Sequence, residues 1–104
     1  MMKKVRYVKD IEILKPDYEH DFMAIKAWGV AELRRLEMPF LVPRPNDLVP
    51  EDGIYELDFI VDDRSTGITD VELEVDVVFR LRNLPKWVKG VRIFGAENSD
   101  IELL

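Results

Sequence analysis

The sequence contains no cysteine and no glutamine, a single histidine and no long apolar run. Without cysteine there is no disulfide framework, thiolate metal site or cysteine nucleophile, and an intracellular setting fits better than a secreted one. No stretch approaches the roughly 18 consecutive apolar residues that a membrane-crossing helix needs. The basic start, Met1 to Tyr7, runs into alternating residues and not into an apolar segment with a small-residue cleavage site, so no export signal is visible. These absences point to a cytoplasmic protein with no membrane segment.

Material for catalysis is sparse. A Ser-His-Asp arrangement would have to use His20 with Ser65, Thr66, Thr69 or Ser99. At the start of a predicted helix, His20 is more simply a solvated or locally bonded side chain. Glycines 29, 53, 67, 90 and 95 spell neither the dinucleotide-binding fingerprint nor the P-loop. No cofactor is expected.

What remains is an ordinary globular composition: 104 residues, 47% hydrophobic, 35% charged, with a net charge of -6. That length suits a single domain spanning residues 1–104. Abundant charge with three asparagines and no glutamine is the composition of a thermophile protein, although a chain this short can lack one residue type by chance.

Alternation over residues 4–9, continued by Ile11 and Ile13, predicts a first strand that Pro16 ends. From Tyr18 to Glu37 there is no proline, Asp17 stands as an N-cap, Glu19 and Asp21 fall in a first turn, and Arg34 and Arg35 in a last one. This predicts a long, largely buried helix, with Gly29 marking a close approach to a sheet. Prolines 39, 43, 45 and 50 make the next stretch an extended connector. After the turn Glu51-Asp52-Gly53, alternating segments 54–62 and 70–83 flank a turn-rich loop at 63–67, which predicts a long antiparallel hairpin. Asn83-Leu84-Pro85 turns the chain, and residues 87–94 read as another strand. The tail is polar at first and apolar at the end, which leaves both docking and fraying open. The expected fold is α+β: one long helix on a mainly antiparallel sheet of about four strands, in the order β-α-β-β-β.

Charge is segregated. Residues 45–76 hold eleven acidic groups against Arg64, whereas residues 80–92 hold five basic groups and no acid. In the predicted hairpin, Glu56, Asp58 and Ile60 on one strand share the solvent face with Glu72, Glu74, Asp76 and Val78 on the other, because core facing fixes the parity. Opposed like charges destabilise a sheet, so something must compensate them. Basic residues of the same chain, such as Lys4 and Arg6, are the plainest answer. A basic partner protein, anchored on Ile60 and Val78, is the second, and a hard divalent cation the third.

The basic segment Arg80, Arg82, Lys86, Trp87, Lys89 and Arg92 interleaves cations with an aromatic ring, a pattern suited to phosphate and base contact that the overall negative charge opposes. Trp87 reads more simply as core or strand-edge packing. The expected function is a non-catalytic binding or assembly subunit, joining a protein partner or further copies of itself through the acidic face and the basic segment. The alternatives are a metal-dependent hydrolase centred on Asp58, Glu74 and Asp76, and a nucleic-acid accessory protein using Arg80, Arg82, Lys86 and Trp87.

Overall fold

A computed structural model describes residues 2–16, 21–32, 38–45, 48–62 and 72–104. Among the described residues there is no helix: eight strands form two sheets. This overturns the α+β expectation. None of the helices that a membrane span would require is present among these residues either.

The first sheet, sheet A, is built on β5 (Ile54–Asp62). Along one edge of β5 runs β4 (Pro39–Pro43), antiparallel, with Leu41 opposite Phe59. The other edge is shared: β1 (Met2–Lys4) pairs antiparallel with residues 60–62, and β7 (Gly90–Phe94) pairs parallel with residues 54–58. β8 (Ser99–Leu103) extends the sheet beyond β7, so the tail docks. The second sheet, sheet B, has β3 (Phe22–Glu32) at its centre, between β2 (Tyr7–Leu14) and β6 (Glu72–Arg82), all antiparallel.

The predicted helix is therefore the central strand β3. Its inward residues Met23, Ile25, Ala27 and Ala31 have no exposed surface, and outward Phe22, Ala24, Lys26 and Trp28 are half-buried between flanking strands. A strand covered along both sides reads as continuously apolar, and the period of two is lost against a background of small residues. The cap Asp17 and the expected last turn, Arg34 and Arg35, lie outside the described residues, as does His20.

The predicted hairpin is also corrected: β5 and β6 lie in different sheets and do not pair. Alternation fixes which way a strand faces, not which strand lies beside it. Leu57, Phe59 and Val61 from β5 share one core cluster with Val75 from β6, against which Leu73, Val77, Phe79 and Leu81 pack. The intervening loop, 63–67, lies outside the described residues.

The chain changes sheets within two residues. The Val5 N–H donates to the Phe59 carbonyl at 2.9 Å in sheet A, and the Arg6 N–H donates to the Val30 carbonyl at 2.8 Å in sheet B. Gly29 does lie at a close approach, though of strands and not of a helix to a sheet: an added Cβ would lie 2.8 Å from the Tyr7 carbonyl oxygen in its own sheet and 3.2 Å from the Phe59 ring of the other. The 19 Å minor dimension agrees with two sheets stacked about 10 Å apart plus their outer side chains.

The edges of sheet B are unlike each other. On the β2 edge, the Asn98 side chain accepts from the Val8 N–H (2.7 Å) and donates to the Val8 carbonyl (2.9 Å), replacing a neighbouring strand where the β2 register shifts between Val8 and Asp10. Val8 and Ile11 are accordingly buried. On the β6 edge no backbone ladder forms with any described residue, although β4 comes close. Of the core-facing residues on β6, Val75 is 2% exposed, while Leu73, Val77, Phe79 and Leu81 are only half-buried.

Candidate interaction surface

The residues singled out in the sequence fall into separate places. Glu56, Asp58 and Ile60 lie on the outer face of sheet A, and Glu72, Glu74, Asp76 and Val78 on the outer face of sheet B, so the expected acidic surface is divided between opposite sides of the molecule.

The sheet A carboxylates are matched within the chain. Arg44 Nη2 donates to Asp58 Oδ1 at 2.9 Å, its Nε lies 3.2 Å from both oxygens, and its guanidinium stacks on Phe94 at 3.6 Å. Lys4 Nζ adds a contact at 3.5 Å, and Arg92 reaches Glu56 at 3.4 Å. Burial of Asp58 works to raise its pKa, but the hydrogen bonds and charge of Arg44, helped by Lys4, outweigh it and hold the carboxyl below its ordinary value. Arg92 thus belongs to sheet A and is spent on Glu56.

At the corner between the sheets, an open depression is lined by Lys3, Lys4, Arg6, Glu32, Ala96 and Glu97. Its cations are engaged: Arg6 contacts Glu97 at 2.9 Å, Glu32 at 3.3 Å and also Glu72, while Lys3 donates to the Glu32 carbonyl at 2.8 Å. Lys9 reaches Glu74 at 3.2 Å.

The rest of the basic segment splits again. Arg80 and Arg82 stand exposed on the outer face of β6, opposite Ala24 and Phe22. Lys86 and Lys89 are exposed around the turn into β7, and Trp87 packs on the core with its ring 6.2 Å from that of Tyr55. Burial raises the Tyr55 phenol pKa. No ion pair joins Arg80 or Arg82 to any described carboxylate.

The outer face of sheet B is consequently bipolar. Glu72, Glu74 and Asp76 occupy one half of β6, Arg80 and Arg82 the other, and Val78, 43% exposed, lies between. Comparison with protein families, curated proteins and solved structures finds no match. Trp28 is the residue that sequence reasoning missed on this face. It sits at the middle of β3, between Asp10 and Asp76 in register, with Lys26 Nζ 4.8 Å from its ring centroid. Its signal was the two-residue spacing Phe22, Ala24, Lys26, Trp28, hidden by equally apolar intervening residues.

Asp58 does not join Glu74 and Asp76, and among the described residues no three His, Cys, Asp or Glu side chains gather as a metal site would require. The hydrolase arrangement read from the sequence is not assembled.

Proposed function

We propose that the chain is a non-catalytic assembly subunit of the cytoplasm that joins a protein surface along β6 and the bipolar face beside it. One observation carries the reading: β6 is a long, proline-free strand whose outer edge, although β4 comes near it, forms no ladder among the described residues, with half-buried core-side residues, carboxylates at one end and, at the other, guanidinium groups that meet no described carboxylate. An unpaired strand edge is a ready template for a further strand, and complementary charge fixes register and partner.

A photo-crosslinking residue placed at Val78 tests this in cells that express the protein. A protein adduct is expected from position 78 and none from position 51, on the turn ahead of β5. Equal yields at both positions overturn the reading.

Nucleic acid is a second reading, favoured by Phe22, Lys26, Trp28, Arg80 and Arg82 sharing one face. Asp10 and Asp76 beside Trp28, with a net charge of -6, weigh against it. Quenching of Trp28 fluorescence by a single-stranded oligonucleotide, in a Trp87→Phe background, would favour it over protein assembly.

A further inference from the structure

Resting on the assembly reading, we propose that the partner of β6 is β6 of a second copy, paired antiparallel about a two-fold axis through Val77, so that two three-stranded sheets become one of six strands. The sequence of β6, Glu-Leu-Glu-Val-Asp-Val-Val-Phe-Arg-Leu-Arg, is complementary to its own reverse. Centred on Val77, Glu72 faces Arg82 and Glu74 faces Arg80, each twice by symmetry. On the core side Leu73 faces Leu81, Val75 faces Phe79 and Val77 meets itself.

Three features of one edge converge on this pairing. Backbone groups that find no ladder partner among the described residues would gain about ten hydrogen bonds from an antiparallel pair of this length. The four half-buried core-side residues, Leu73, Val77, Phe79 and Leu81, would be covered by their symmetry mates. Arg80 and Arg82, without carboxylates in their own molecule among the described residues, would share Glu72 and Glu74 of the other with the Arg6 and Lys9 that already contact them. Slipping the register by one residue would set core-facing side chains against outward ones, so only shifts that preserve parity compete. The edge of β4 that has no ladder among the described residues is a poor rival, being five residues long with proline at each end.

Charge reversal provides the test. The E72K/E74K variant makes β6 uniformly basic at its charged outer positions apart from Asp76, and R80E/R82E makes it acidic throughout. Wild type is expected to sediment at twice the mass of one chain. Each variant, verified as folded by its thermal melt, is expected to dissociate at least tenfold more readily, and their equimolar mixture to recover a dimer, because every repulsive pair becomes attractive.

A second measurement leaves the charges intact. Opposed Cα atoms in an antiparallel pair lie 4.5–5.5 Å apart, within disulfide range. Since the chain has no cysteine, Val77→Cys is expected to give a disulfide-linked dimer on mild oxidation, and Glu51→Cys none. A wild type that is monomeric at all concentrations and salt levels overturns the self-pairing, as does a dimer that the mixed variants fail to rebuild. Cross-linking through cysteine at 78 in place of 77 overturns the register. A monomer in solution that still forms an adduct with a different protein from position 78 sinks self-pairing and leaves the assembly reading standing.

Discussion

At Gly29 a single methyl group has no room. Its Cβ would press on the Tyr7 carbonyl, which belongs to the backbone and cannot swing away, and on the Phe59 ring from the opposite sheet. Gly29→Ala is expected to destabilise the fold by about 1–3 kcal/mol, read as a lower denaturant midpoint with an unchanged slope. The glycine was legible in the sequence as a close approach, but what approaches was not, because one sequence cannot say which strand lies across the core. Asp58 offers a second test at this scale. Its folded pKa lies below the unfolded value, so its stabilisation is present above about pH 4 and is lost as pH falls through the lowered folded value. Wild-type stability is expected to decline over that acid range. Asp58→Asn should start about 1 kcal/mol lower at neutral pH and show a flatter acid limb, measured by denaturation at a series of pH values.

Among the elements, β5 and β6, whose two faces differ in polarity, were readable, whereas β3, apolar on both faces, read as a helix, and the short strands β4 and β8 read as a connector and a tail. β5 carries Glu56 and Asp58 against Leu57 and Phe59, and its bounds follow from alternation alone. β3 sets Met23 and Ile25 against Phe22 and Ala24, and nothing in that pattern excludes a helix. The acidic surface was misplaced for a related reason, since facing was right for both β5 and β6 while adjacency was assumed. Capping of the β2 edge at Val8 was invisible in sequence, because it depends on a side-chain amide 90 residues away standing in for a strand. Replacing Asn98 with alanine leaves the Val8 N–H and carbonyl without these partners. A loss of about 1–2 kcal/mol is expected, with faster amide exchange at Val8 than in β3, measured by hydrogen exchange.

Over the whole molecule, protection should follow the position of each strand in its sheet. β3 and β5, flanked on both sides, are expected to exchange most slowly. The β6 amides that point away from β3 should exchange quickly in dilute protein and slow as concentration rises, whereas those of β4 should show no such dependence. Added salt should reverse part of that slowing, because exposed charges more than about 8 Å apart are already screened at physiological ionic strength, and closer exposed pairs weaken further in stronger salt.

The unlike edges of sheet B also limit how far association can go. A strand that can receive a neighbour on either flank invites endless stacking into a ribbon. Here Asn98 occupies the far flank at Val8 with its own amide. Two molecules that meet through β6 therefore leave that stretch of each outer border already taken, and a third arrival finds no vacant berth at Val8.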